Sequence, residues 1–374
     1  MSGGTRPRAI RAVIPVLFCL GVLGGILLAG LLPFVGPRNG VSWLPGEDGV
    51  RLSGRSTLWS SASFPASGFE ETSCSLELWL QPALTPDSNT ILSFSTPENP
   101  LQLTVHQYAS LLIVQTGTPH RRAPNSTIGT DNMLHQGTPV FATIAWGANG
   151  TVMYSNGTIA RTFPRHRVPS GCSGQIVLGT SPVKDGSWHG QIRGLALYRQ
   201  ELTLDQVRRH YQTWTTQGRP DLDGDQILAL YLFNEHSGNV VHNAMPGGPD
   251  LYIPGRYGLV HQTFLEPFWE EYKPRWSYVK DILINIAGFM PLGFVFYAYW
   301  TSVRPIRRAA LITTALGLAV SLTIEILQSL IPTRDSGTTD LMTNTLGTYL
   351  GVRFYGWSIA RSVLDRIYSA SFPE

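Results

Sequence analysis

The chain has 374 residues, with 28 Lys and Arg against 25 Asp and Glu and a net charge of +3. That length predicts two or three domains. The small positive balance excludes a nucleic-acid binder: the basic residues form no patch in the polar part of the chain and cluster beside apolar segments instead.

The first 36 residues are apolar with sparse charge. The run from Ala12 to Val35 (AVIPVLFCLGVLGGILLAGLLPFV) is long enough, at about 1.5 Å per residue, for a hydrocarbon core of about 30 Å. It predicts a first transmembrane helix behind a short cytoplasmic N-terminus. The alternative is a cleaved signal peptide, but the run is longer than an h-region and no Ala-x-Ala site follows promptly. Cys19 follows the bulky Phe18 and is no lipobox cysteine.

Residues 40–255 are polar, rich in Gly, Pro, Ser and Thr, and dotted with aromatics. Short alternating runs recur between turn signals, as in "SLELWLQP", "TILSFS", "LQLTVHQ" and "SLLIVQTG". The stretch "VFATIAWGANGTVMYSNGTIARTF" holds two Gly-centred turns, and its Asn156–Gly157 pair is a type I′ hairpin signal. One amphipathic helix follows, "TLDQVRRHYQTW", with Thr203 as its N-cap. Many short strands without helical period between them predict an all-β jelly-roll sandwich. Cys74 and Cys172 both lie in this part. If it is exported, a disulfide would persist there and the two are expected to pair; the alternative is two buried free thiols.

The residues "CSLELWLQP … HGQIRGLALYRQELTLDQVRRHY" resemble the LamG / concanavalin A-like lectin–glucanase superfamily. They carry its early E-x-W-x-x-P strand and its late strand–helix pattern. The resemblance implies a concanavalin A-like sandwich. Enzymes of that fold use paired carboxylates in an E-x-D-x-x-E strand. This sequence has no such strand, so the domain reads as a glycan- or protein-binding module. After it, "DLDGDQ" sets Asp221, Asp223 and Asp225 around Gly224, hard oxygen donors suited to Ca²⁺. The twelfth position from Asp221 is Leu232, so a full EF-hand-like loop fails, and a solvated acidic turn is the alternative. The stretch from Ile227 to Pro254 alternates like two more strands that complete the sandwich edge.

Residues 256–280 form a connector dense in aromatic and basic side chains. Trp269, Tyr272, Trp276 and Tyr278 suit the headgroup layer, where an apolar ring and a polar tip are both satisfied. A glycan-stacking platform is the alternative.

Residues 281–374 predict three further spans, near Ile282–Thr301, Ala309–Ile331 and Leu341–Ile359. Arg6, Arg8 and Arg11, then Arg304, Arg307 and Arg308, then Arg353, Arg361 and Arg366 fall on one side of a four-span chain. The positive-inside rule puts both termini in the cytoplasm and residues 40–280 outside it. Each of the three helices carries a polar stripe at helical spacing: Asp281, Asn285 and Gly288; Ser321, Glu325 and Gln328; Asp340, Asn344, Gly347 and Gly351. Arg334 and Asp335, in the outer loop, are expected to close over them. Such groups either bond the helices together or form a pocket open to the outer surface.

The stretches "DILINIAGFMPLGF" and "SLTIEILQSLIPTRDSGTTDLMTNTLGTYLG", with the basic loop between them, resemble the VanZ-like family. They hold its E-x-x-Q, P-x-R-x-x-x-x-x-D and D-x-x-x-N-x-x-G spacings. Asp281, Asn285, Glu325, Gln328, Arg334, Asp340 and Asn344 occupy the motif positions. The resemblance implies a bacterial cell-envelope membrane protein of a family named for a member linked to glycopeptide (teicoplanin) resistance. Fusion to an exported domain departs from the family's minimal form. We read a non-enzymatic, multi-pass protein of the bacterial inner (cytoplasmic) membrane. Its bundle meets membrane lipids and binds a lipid-linked or cell-wall component such as a peptidoglycan precursor; its sandwich binds a glycan or an envelope protein. The rivals are a membrane transferase or hydrolase using Glu325 or Asp340 as general base, and a structural anchor for the sandwich.

Overall fold

The structure is a computed structural model that describes residues 6–32, 36–65, 73–84, 87–117, 127–168, 172–183, 186–261, 264–272, 276–331, 334 and 336–357. The chain divides into two compact units. One is Gly36–His261; the other joins Met1–Val35 to Gln262–Glu374.

The chain opens with α1 (Arg6–Leu31). The first unit then runs through β1 (Val41–Trp43), β2 (Val50–Leu52), β3 (Leu58–Ser60), β4 (Cys74–Pro82), β5 (Thr90–Ser95), β6 (Leu103–Tyr108), β7 (Leu111–Thr116) and β8 (Thr127–Thr130). It continues with β9 (Val140–Gly147), β10 (Gly150–Ser155), β11 (Thr158–Phe163), β12 (Gln175–Leu178) and β13 (Gly190–Tyr198). Helix α2 (Leu204–Gln217) follows, then β14 (Ile227–Tyr231), β15 (Val240–Val241) and β16 (Leu251–Tyr252).

These strands form two antiparallel sheets. The first has the order β1-β2-β13-β4-β9-β10-β11, with β14 also paired to β13; the second has the order β15-β16-β3-β12-β5-β6-β7-β8. The non-sequential order is that of a sandwich, not a meander. Residues from Ile227 onward therefore complete both sheets. The inner faces bury Leu76, Leu78, Leu80, Leu92, Phe94, Val105 and Val114, with Trp188 among them. The outer face of the first sheet is covered by α2, through Phe141, Tyr198, Val207 and Trp214. The hairpin between β10 and β11 turns on Asn156 and Gly157, both at positive φ, as a type I′ turn requires. A capping box between Thr203 and Gln206 starts α2, and Gly218 ends it in the left-handed region. Cys74 and Cys172 are joined by a disulfide, with Cα atoms 5.9 Å apart.

The second unit is helical. After α1 come α3 (Phe268–Glu271), α4 (Trp276–Ala298) with a π-helical turn over Tyr299–Val303, α5 (Ala309–Gln328) and α6 (Thr338–Tyr355). Two helices are long and apolar enough to cross a membrane, Trp276–Val303 and Ala309–Gln328. The other two expected spans do not meet the same measure among the described residues. The apolar part of α1 is the short stretch Pro15–Leu31, and α6 carries Asp340, Asn344 and a series of threonines. Helices α4 and α6 meet at glycine. A Cβ on Gly347 would stand 2.3 Å from the Ile286 carbonyl oxygen, and one on Gly351 2.1 Å from that of Met290. Gly288 differs from its expected place on the polar face, because nothing lies near it. Helix α1 packs Val22, Leu23, Ile26 and Leu27 against Phe289, Val320 and Ile324.

Candidate functional site

The polar stripes of α4, α5 and α6 come together at one end of the helical unit, around the N-terminus of α6. Four unpaired N–H groups at a helix start attract carboxylates, and two arrive. Glu325, near the end of α5, accepts from the Gly337 N–H at 2.9 Å and is bonded by the Ser336 side chain. Glu271, from α3, accepts from the Thr339 N–H at 3.0 Å. Asp340, in the first turn of α6, accepts from the Asn285 amide at 2.7 Å. The charges of Glu271, Asp281 and Arg334 all act on Asp340. Asp281 itself is exposed. Glu325 is 1 % exposed.

One turn deeper, Asn344 donates to Ser321 Oγ at 3.0 Å. At the end of α5, past Glu325, Gln328 donates to the Gly30 carbonyl of α1 at 2.8 Å. The Arg334 guanidinium donates to the Leu32 carbonyl. The structure thus brings together Asn285, Glu325, Gln328, Arg334, Asp340 and Asn344, with Asp281 at the margin. Asp335 lies outside the described residues.

Sequence reasoning missed Glu271, Ser336 and Thr339, and read Tyr278 only as a headgroup-layer aromatic. The Tyr278 and Thr339 hydroxyls are 3.2 Å apart. Glu266 forms a parallel bridge with Gly337, which brings the aromatic segment onto the loop between α5 and α6. The signal was present in "LEPFWEEY", where acidic residues interrupt an aromatic run. Read as an interfacial connector, that segment hid its carboxylates.

The sandwich holds its own buried polar network. Glu77 on β4 reaches His210 Nδ1 at 3.1 Å, and Asp225 reaches His210 Nε2 at 2.7 Å. The Tyr198 hydroxyl donates to Glu77 at 2.7 Å, and Arg209 donates to Asp225 at 3.2 Å. Burial by itself lowers the His210 pKa, but the two carboxylates outweigh it and the net shift is upward from 6.5. Of the three carboxylates expected as calcium donors, Asp221, Asp223 and Asp225, two have other partners here. Asp225 is turned inward to His210, and Asp221 faces Arg209 at 3.8 Å. Among the described residues no group of three or more His, Cys, Asp or Glu is placed to hold a metal ion. The side chains of the second sheet that alternate with its core residues form a row in register, Tyr252, Trp59, Val177, Ser93, Thr104 and Gln115, of which Val177, Ser93 and Thr104 are buried and Trp59 and Tyr252 are not. The Trp59 and Tyr252 rings lie 6.3 Å apart.

Comparison with known proteins follows the same division. A family model described as VanZ/LLP1 matches residues 227–360. One described as the concanavalin A-like lectin/glucanases superfamily matches residues 57–208. Protein VanZ of Enterococcus faecium is 29 % identical over 91 residues, which cover 24 % of this chain and 53 % of that protein. The chain therefore spans about half the length of the curated relative it matches. Among solved structures, a putative carbohydrate binding protein from Bacteroides ovatus aligns over 59 % of each chain, at 13 % identity and a TM-score of 0.40. A heptameric SAP-like pentraxin from Limulus polyphemus aligns over 59 % of this chain and 96 % of its own, at 16 % identity and a TM-score of 0.37.

Proposed function

We propose that this chain, which carries a VanZ-like segment and a concanavalin A-like lectin/glucanase domain, is a multi-pass protein of a bacterial cytoplasmic membrane. Its helical unit binds an envelope lipid or lipid-linked cell-wall component at the outer leaflet. The observation that carries this reading is Glu325, buried to 1 % exposure inside an apolar bundle. An ionisable group at membrane depth costs about 2.5–3.5 kcal/mol on insertion scales and persists where it has a partner or a task. Here it stands with Glu271 and Asp340 at a cap whose amides and carboxylates outnumber its cations.

Four spans, α1, α4, α5 and α6, complete the membrane unit in this reading. Arg304, Arg307, Arg308 and Arg353 then lie on the cytoplasmic side with both termini, and residues 40–280 lie outside. The Cys74–Cys172 disulfide supports an oxidising compartment for the sandwich. The sandwich binds a glycan or an envelope protein. Its family match supports this, as does the neighbouring pair of Trp59 and Tyr252, whose rings suit stacking on a sugar.

The test is mass spectrometry of lipids that co-purify in mild detergent with wild type and with Glu325→Gln. A defined envelope lipid should accompany wild type and be depleted from the variant. Identical profiles would reduce the cap to a device that bonds the helices together.

A further inference from the structure

The cap leaves acceptors over, not donors. Among its described residues, the buried side-chain atoms without a hydrogen-bond partner are Asn344 Oδ1 and Gln328 Oε1. Asn344 is 4 % exposed and Gln328 7 %. Their amide N–H groups are spent on Ser321 and on Gly30. A helical side chain leans toward the N-terminus of its own helix. Asn344 therefore leans toward Asp340, one turn before it on the same face of α6, whereas Gln328 is tied to α1. The orphaned Asn344 oxygen thus joins the carboxylates of Glu271, Glu325 and Asp340, and what is left unsatisfied there wants a donor.

A second feature begins beside them. A groove of about 420 Å³ runs between α5 and α6, lined by Thr314, Leu318, Leu341, Leu346 and Tyr349 among others, with almost no polar surface. Its upper end is Leu341, the residue after Asp340.

We infer that the cap binds the primary ammonium headgroup of a membrane lipid, of the phosphoethanolamine type, with an acyl chain of the same lipid in the α5–α6 groove. This deepens the proposed function and rests on it. An alkylammonium brings three N–H donors to a site built of acceptors. Arg334, at the rim, supplies a cation for the adjoining phosphate. A quaternary ammonium carries no N–H, so a choline headgroup leaves the Asn344 amide oxygen unpaired and is rejected.

The full chain is reconstituted in nanodiscs that pair phosphatidylglycerol with either phosphatidylethanolamine or phosphatidylcholine of identical acyl chains. Retained lipid is then counted by native mass spectrometry. Wild type should retain phosphatidylethanolamine at least tenfold over phosphatidylcholine. Asp340→Asn and Glu325→Gln should abolish the preference, and Leu346→Trp, which fills the groove without touching the cap, should cut retention several-fold. Because Glu325 also caps α6, a thermal midpoint is measured for each variant, and Asp340→Asn decides if Glu325→Gln does not fold. Equal retention of the two lipids by wild type overturns the inference, as does an unchanged preference in folded Asp340→Asn. Unchanged retention in Leu346→Trp overturns the groove. Retention of phosphatidylglycerol that depends on Asp340 overturns the ammonium headgroup while the lipid-binding reading stands. No retained lipid in any arm removes both.

Discussion

His210 has a carboxylate at each ring nitrogen, Glu77 at 3.1 Å and Asp225 at 2.7 Å. Both nitrogens donate only in the imidazolium. Its pKa is raised above 6.5, since Glu77 and Asp225 outweigh the downward effect of burial. A raised folded-state pKa stabilises fully below the unfolded value, and the stability is lost as pH rises through the folded value. The thermal midpoint of the sandwich should therefore fall as pH is raised from about 6.5, and His210→Gln should flatten that slope. A wild-type midpoint that does not change with pH would remove the imidazolium. Glu77→Gln should cost about 3–5 kcal/mol in denaturant unfolding, because it leaves His210 and Tyr198 facing a broken pair. None of this network was legible in advance. Glu77 was visible only as a motif letter, His210 as one residue of an amphipathic helix, and Asp225 as a calcium donor. No periodicity links positions so far apart; the sheet order brings them together. Glu271 escaped for the same reason. The positions on α4, α5 and α6 were legible because helical spacing alone puts them on one stripe.

At the scale of elements, the strands announce themselves as short β-rich runs between turn signals, although β5 and β9 are buried along their whole length. The sheet order does not, since pairing of β13 with β2, β4 and β14 leaves no local trace. The helices behave the other way. Spacing at i, i+4 and i+7 fixes a face but does not say which neighbour meets it. Gly347 and Gly351 face the α4 backbone, whereas Gly288 faces open space. The two kinds of glycine predict opposite outcomes. Gly347→Leu forces side-chain atoms against the Ile286 carbonyl and should destabilise the helical unit by about 1–3 kcal/mol or more. Gly288→Leu should leave the midpoint within experimental error. Equal sensitivity at the two positions, read by thermal unfolding in detergent, would refute the α4–α6 contact. The polarity of α6 has a related origin: a helix that meets neighbours through Thr339, Thr343, Asn344 and Thr348 need not be apolar on those faces, and hydropathy under-reads it.

At the scale of the whole molecule, the disulfide closes a 98-residue interval between β4 and the segment before β12. Its loss restores that freedom to the unfolded chain, so Cys74→Ser should cost about 2–5 kcal/mol. Reductant should lower the wild-type midpoint toward that of the variant, and a midpoint indifferent to reductant would argue against the bond. The sandwich begins and ends at one place: the Tyr257 N–H donates to the Pro37 carbonyl at 3.0 Å, and Arg256 reaches the Gly36 carbonyl at 2.9 Å. The helical unit correspondingly draws on both 1–35 and 262–374. That division has a consequence in time. At about 5–20 residues per second, synthesis of the intervening stretch takes roughly ten to fifty seconds. Throughout that interval the carbonyls of Gly30 and Leu32 have neither Gln328 nor Arg334 to meet them. The sandwich can fold and close its disulfide before the helices that finish the cap exist. The cap is then the last part of the molecule to form, and it closes on a chain whose sandwich is already made.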